Sequence, residues 1–203
     1  SYIKLPSAEK EELLLQHNYD DLAGMLSIFP LLYIKQLPKG QWELIKAEEL
    51  KKQEADQSVT KELLFTLTLP IPVPARLSAS FSFGYITVSE YTLKLKLPLY
   101  EGTLKFYYPD YKNYYYLPLE DEAVHKSVAV YTDTQHRQKA TAATCYKKYS
   151  GTFIYAPDTC PLPLLKEDLR AKECYTFWPF QNSSLSMQKC YIQEILKTAI
   201  TSS

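Results

Sequence analysis

Alternation of apolar and polar residues between positions 63 and 117 is the feature that most restricts the fold of this chain. Residues 63–69 alternate Leu and Phe with Thr, and residues 91–97 place leucines on one side and Lys94 and Lys96 on the other. A period of two is typical of a strand with one buried face. Tyr, which is common in strands, occurs 18 times, whereas Gly occurs only 5 times. The pattern predicts an antiparallel meander of about five strands.

Helical patterns flank the predicted strands. Ser7 can cap a helix in which apolar residues recur at helical spacing from Leu13 onwards, and Pro30 ends or kinks it. A last helix is predicted over residues 187–199. The fold class that follows is α+β, with an N-terminal helix, then a mainly antiparallel β-meander or partly closed barrel with flanking helices.

Three local predictions concern the connections between these elements. Residues 47–57 are charged and indicate a short exposed helix or a loop. Pro70, Pro72 and Pro74 predict an extended break between strands. Residues 104–108 and 114–117 are predicted to form a hairpin across residues 109–113.

Composition excludes some functions and leaves others open. The formal net charge of zero argues against a globally basic nucleic-acid binder, although local basic patches remain compatible with it. The four cysteines form no C-x-x-C pair, so a zinc site is not expected. No apolar run is long enough to span a bilayer, and no membrane partner is expected. We expect free thiols in a cytoplasmic protein; the alternative is two disulfides in a secreted one.

His17 and Asp21 are the first candidates for chemistry. Their i, i+4 spacing places both on one face of the N-terminal helix. Such a pair can hold a metal ion, or the carboxylate can bind the metal while the histidine handles the protons of an attacking water. The alternative is an ordinary pair of polar residues on a helix surface.

The run QHNYDDLAGMLSIFPLL, residues 16–32, resembles the final motif of the bacterial YprB-like, ribonuclease H-like exonuclease domains of DEDD type. In that family the last helix carries His-Asn-x-x-Asp before an apolar run. The resemblance implies that Asp21 is the last acidic metal ligand and that His17 orients or deprotonates water. It also implies Mg²⁺ or Mn²⁺ as the cofactor. Residues 106–118 and 125–129 resemble the C-terminal extensions of such proteins.

The family's first acidic pair and its further Asp have no counterpart in this chain. Glu120 and Glu122 have the spacing of an acidic pair, but they follow the final motif and are expected only to begin a helix. The resemblance therefore implies that residues 1–38 are the last helical segment of a nuclease domain and that residues 39–203 form a β-rich accessory domain. The chain is expected to depend on an upstream nuclease domain and to be inactive alone.

A basic segment with interleaved tyrosines is the second candidate site. Between positions 126 and 149 the only acid is Asp133, and Tyr131, Tyr146 and Tyr149 separate the cations. Cations bind phosphates and aromatic rings stack on unpaired bases, so the segment predicts contact with single-stranded nucleic acid. The alternative is a solvated charged surface. The predicted contact residues are Lys126, Arg137, Lys139, Lys147 and Lys148.

Two other readings of the whole chain remain open. The tyrosines of residues 107–116 can support a hairpin by cross-strand pairing, or they can stack on a ligand. The first reading of the whole chain is a non-catalytic, β-rich protein-interaction module instead of part of a nuclease. A barrel that holds a small ligand is the third possibility.

Overall fold

A long antiparallel hairpin forms the centre of the structure, a computed structural model that describes residues 7–53, 59–130, 134–180 and 184–201. Strand β2 (Val59–Phe81) pairs with the first part of β3 (Gly84–Tyr107). The other elements are α1 (Ala8–Leu32), β1 (Glu43–Gln53), β4 (Tyr114–Leu117), β5 (Glu122–His125), α2 (Lys126–Ala129), β6 (Gln138–Lys139), β7 (Tyr146–Tyr155), β8 (Tyr175–Phe177) and α3 (Leu185–Thr201). Short 3₁₀ segments span Tyr33–Lys39, Tyr111–Asn113 and Thr134–His136.

The main sheet is antiparallel and open, in the order β1-β2-β3-β7-β8. Strand β3 is long enough to serve two partners, because its first part pairs with β2 and its last part pairs with β7. A second sheet has the order β5-β4-β6. This arrangement, with flanking helices, confirms the predicted α+β class, and the main sheet does not close on itself.

Period-two alternation places the core on one face of the hairpin. The inward residues of β2 and β3 are completely buried, and they are Leu63, Phe65, Leu67, Leu93, Leu95 and Leu97. Helix α3 covers them with Tyr191, Ile192, Ile195 and Leu196. Burial of one such side chain stabilises the fold by about 1.5–3 kcal/mol. The Tyr191 hydroxyl donates to the Tyr155 carbonyl at 2.6 Å, so its buried polar atom is satisfied.

The predicted terminal helices are present. Ser7 Oγ accepts from the Lys10 amide at 3.3 Å at the start of α1, and Ser184 Oγ accepts from the Met187 amide at the start of α3. Helix α1 contacts β2 and the 3₁₀ segment that follows it. Leu37 of that segment is fully buried in the main core. The division of the chain at residue 38 stays a prediction.

The three expectations for the connecting segments were wrong, and so was the helix start at Glu120 and Glu122, because Glu122 begins strand β5. Residues 47–53 belong to strand β1, where charged side chains suit the edge of a sheet, whereas residues 54–57 lie outside the described residues. Strand β2 continues through Pro70, Pro72 and Pro74, with irregular pairing between Thr68 and Leu77. The predicted hairpin across residues 109–113 does not form, since Tyr107 pairs with Tyr146 of β7 and β4 pairs with β5 and β6.

Candidate functional site

His17 and Asp21 are in contact on helix α1. His17 Nδ1 lies 3.0 Å from Asp21 Oδ2, as their spacing of one helical turn predicts. Both side chains are largely exposed, at 74% and 65%. An exposed pair of this kind contributes at most about 0.5 kcal/mol to stability. Its geometric effect is to hold one oxygen of the Asp21 carboxylate against the imidazole.

The neighbouring carboxylate, Asp20, has a different partner. Asp20 Oδ1 accepts a hydrogen bond from Gln16 Nε2 at 2.9 Å. The two acids are adjacent in sequence and equally part of α1, but only Asp21 contacts a histidine. This difference makes Asp20 a natural control for any role assigned to Asp21.

Helix α1 exposes most of its apolar residues. Leu13, Leu15, Leu22 and Leu26 are each more than 60% exposed, and Met25 is 56% exposed. The described part of the chain therefore does not cover the apolar positions predicted from the helical spacing. Nothing in the described residues encloses the His17–Asp21 pair in a cleft.

The described residues do not complete a metal centre. Within the four described ranges, no group of three or more His, Cys, Asp or Glu side chains could hold a metal ion. A two-metal site requires several converging carboxylates, and the His17–Asp21 pair offers one. Of this pair, only Asp21 offers a carboxylate ligand.

Tyr115 is the centre of a basic surface on the small sheet. In β4, Tyr114 and Tyr116 pack on Ala123, Ala140 and Cys145. Because successive side chains of a strand point to opposite faces, Tyr115 faces away from that cluster. It lies directly opposite Lys139 in the pairing with β6, so the two side chains share one face.

Two further cations lie near the Tyr115 ring. The Arg137 guanidinium carbon is 4.9 Å from the ring centroid, and Lys126 Nζ is 6.0 Å from it. Arg137 also donates to the Ala129 carbonyl, which fixes the guanidinium beside the ring. Such cation–π contacts contribute about 0.5–1 kcal/mol at exposed sites. Tyr115, Lys126, Arg137 and Lys139 together are called the Tyr115 surface below.

Lys147 and Lys148 contact other residues and are not part of the Tyr115 surface. Lys148 Nζ lies 2.9 Å from Asp121 Oδ2 and is partly buried. Lys147 is exposed on the opposite face of β7, and its Nζ lies 5.5 Å from the centroid of the Tyr149 ring. The structure thus brings Lys126, Arg137 and Lys139 together, and it ties Lys148 to an acid.

Asp121 is an important residue that the sequence pattern did not single out. Its carboxylate accepts from the Tyr116 hydroxyl at 2.5 Å and from the Tyr146 hydroxyl, and it pairs with Lys148. These hydrogen bonds, that of Tyr116 first, hold the pKa of Asp121 well below its ordinary value. Burial and the hydrogen bond to Asp121 raise the pKa of Tyr146. Asp121 therefore joins the small sheet to β7.

The four cysteines are all reduced in this structure, and three of them are buried. Burial raises the pKa of the Cys174 thiol to about 11, with a further contribution from its hydrogen bond to Asp158. A thiol that stays protonated at neutral pH is a poor nucleophile.

Comparisons with known proteins identify no relative. No family model, no curated protein and no solved structure matches this chain. Among the described residues, no helix is both long and apolar enough to cross a membrane. The features that bear on function are the His17–Asp21 pair and the Tyr115 surface.

Proposed function

We propose that this chain is the C-terminal part of a metal-dependent, ribonuclease H-like 3′–5′ exonuclease. The observation that carries the proposal is the 3.0 Å contact between His17 and Asp21 within the motif that resembles the last helix of such domains. Asp21 supplies one ligand to Mg²⁺ or Mn²⁺, and His17 orients or deprotonates the attacking water. The other carboxylates come from an upstream nuclease domain of the same protein.

The exposed apolar residues of α1 support this assignment. Leu15, Leu22 and Leu26 are 61–66% exposed, and apolar side chains on a helix are normally covered by a neighbouring element. An upstream domain that packs on α1 buries them and brings its own carboxylates near Asp21. The isolated chain is then inactive, because it holds only one corner of the metal site.

The β-rich remainder of the chain positions the substrate. In the Tyr115 surface, Arg137 and Lys126 lie 4.9 and 6.0 Å from the centroid of the tyrosine ring, and Lys139 is the cross-strand partner of Tyr115. Cations that bind phosphates, next to a ring that stacks on an unpaired base, suit single-stranded nucleic acid. We assign this role to residues 39–203.

Replacement of single acids on α1 tests the proposal in the protein that carries the upstream domain. We expect Asp21→Asn to reduce Mn²⁺-dependent degradation of a 5′-labelled single strand to background. His17→Gln should reduce it by a factor on the order of 10² or more, because positioned proton transfer contributes that much to a hydrolysis. Asp20→Asn is the matched control and should retain activity. Full activity of Asp21→Asn would contradict the assignment.

The exposed face of α1 also favours a second candidate function, a non-catalytic protein-interaction module. An amphipathic helix with uncovered leucines can dock into an apolar groove of a partner protein. A salt titration separates the two functions. Steep loss of single-strand binding as salt rises supports the first, and absence of binding at low salt supports the second.

A further inference from the structure

The outward face of the β2–β3 hairpin contains a groove that neither candidate site uses. Its volume is about 540 Å³. The same alternation that buries Leu93, Leu95 and Leu97 turns the intervening residues of β3 outward. The groove is lined by polar residues of both strands, among them Arg76, Tyr85, Thr87, Glu90, Lys94 and Lys96, and it is called the hairpin groove below.

Cations predominate in the hairpin groove. Arg76, Lys94 and Lys96 line it, against the single carboxylate of Glu90. Lys96 Nζ lies 3.7 Å from Glu62 Oε2, which is a long contact between two partly exposed side chains. Within the described residues, neither Arg76 nor Lys94 forms an ion pair. Two of the three cations are therefore available to an anionic ligand.

Tyr85 of the hairpin groove is affected by hydrogen bonds and by two of the cations. Hydrogen bonds with Ser78 and Thr87 lower the pKa of Tyr85, and the charges of Arg76 and Lys96 lower it further. The hydrogen bonds account for most of this lowering, and the two cations add a smaller contribution of the same sign.

Hydroxyl groups accompany the cations. Tyr85, Thr87, Ser89 and Thr92 line the hairpin groove, and hydroxyl side chains are common donors to phosphate oxygens. Thr66 lies directly opposite Lys94 in the strand pairing, and its buried hydroxyl has no hydrogen-bond partner among the described residues. Alternate residues of one strand are about 6.8 Å apart, so Lys94 and Lys96 present separate charges along a line.

We infer that the hairpin groove binds the phosphate backbone of a single-stranded nucleic acid, as a contact separate from the Tyr115 surface. Separate cations and hydroxyl donors along a groove match a chain of phosphates, and contacts to phosphates hold a strand without reading its sequence. The inference rests on the proposed function, since it takes the same ligand. It adds a second place at which the accessory domain holds the strand.

Salt-dependent binding tests the inference with the 203-residue chain and a fluorescein-labelled oligothymidylate. A variant with Arg76→Gln, Lys94→Gln and Lys96→Gln is compared with a control that carries Lys35→Gln, Lys172→Gln and Lys197→Gln on exposed surfaces elsewhere. The slope of log K against log salt is negative, and each lost phosphate contact on a single strand reduces its magnitude by about 0.7. We expect the slope of the groove variant to be smaller in magnitude by at least about 1.4, the contribution of Arg76 and Lys94, and the slope of the control to be unchanged.

A milder variant protects the test against a folding defect. Lys94 is exposed, so Lys94→Gln should leave the melting temperature unchanged. This variant alone should reduce the magnitude of the slope by about 0.7. An unchanged slope in both groove variants, together with weaker binding by Tyr115→Ala, overturns the inference and leaves the proposed function standing. Absence of oligothymidylate binding at low salt overturns both. If the chain binds phosphatidylserine vesicles but does not bind the oligothymidylate, the inference is also overturned.

Discussion

Two adjacent carboxylates on α1 have different partners, and this difference gives their substitution a clear meaning. Asp21 contacts His17, whereas Asp20 accepts from Gln16. Residue spacing alone predicts both pairs, because positions four apart meet on a helix. Spacing does not predict the exposure of the pair, which depends on what packs against α1.

Tyr115 gives a prediction for binding at the scale of one ring. We expect Tyr115→Ala to weaken oligothymidylate binding about tenfold, because stacking of one base on an aromatic ring contributes about 1–3 kcal/mol. Tyr115→Phe should bind nearly as well as the unmodified chain, since the ring is kept. Fluorescence anisotropy measures both.

Tyr111→Ala is a suitable control for the Tyr115 variants. Tyr111 is an exposed tyrosine of the preceding 3₁₀ segment and is not among the residues of the Tyr115 surface. Equal weakening by Tyr111→Ala and Tyr115→Ala would show that the Tyr115 surface has no special role.

Asp121 shows why some important residues cannot be predicted from the sequence. The run Glu120-Asp121-Glu122 after Pro118 indicates the start of a helix. Instead Asp121 adopts a positive φ of 53° in the turn before β5, and its partners Tyr146 and Lys148 lie 25 or more residues away. Contacts of that kind depend on the tertiary arrangement and leave no local pattern.

Asp121 also predicts how stability depends on pH. Its pKa is lower in the folded chain than in the unfolded chain, where it is about 3.9, so the stabilisation is complete above that value. It is lost as the pH falls below about 4 and through the lower pKa of the folded state. Asn tolerates a positive φ, so Asp121→Asn removes the charge without a backbone penalty.

Thermal unfolding as a function of pH measures this effect. We expect the melting temperature of the unmodified chain to exceed that of Asp121→Asn at pH 7. The difference should shrink as the pH falls below about 4, because the carboxyl is then protonated in the unfolded chain while it is still ionised in the folded chain. A difference that is the same at pH 3 and pH 7 would contradict the role of the ionised carboxylate.

At the scale of elements, alternation predicted strands better than it predicted their partners. Residues 63–69 and 91–97 do lie in strands, and Phe65 does pair with Leu95. The tyrosine-rich segment at 104–108, however, pairs with β7 instead of with the nearest following strand. An alternation with a period of two indicates that one face of a strand is buried, but it does not identify the neighbouring strand.

Two other predictions about elements were wrong: a break at the prolines, and a helix or loop at the charged segment. Pro70 and Pro72 lie where the pairing of β2 with β3 is irregular, and a proline is tolerated where its missing N–H is not required. Strand β1 is charged because it lies at an edge, where exposed backbone groups are protected from a further strand by charged side chains. Both effects follow from position in the sheet, which residue type alone does not reveal.

On the scale of the whole molecule, a net charge of zero conceals separate basic surfaces. The Tyr115 surface lies on the small sheet, and the hairpin groove lies on the outward face of β2 and β3. Acids elsewhere balance these cations, for example Asp121 at Lys148 and Glu101 at Lys61. Local charge density, which governs contact with phosphates, is therefore not given by the total.

We propose that Asp21 belongs to a metal site that an upstream domain completes, and a titration of Mn²⁺ tests this most directly. Isothermal titration calorimetry is performed without substrate on the protein that includes the upstream domain. Three forms are compared: the unmodified protein, Asp21→Asn and Asp20→Asn. The account predicts that Asp21→Asn loses or strongly weakens Mn²⁺ binding, while Asp20→Asn binds as the unmodified protein does. Equal Mn²⁺ affinity in all three proteins would contradict it.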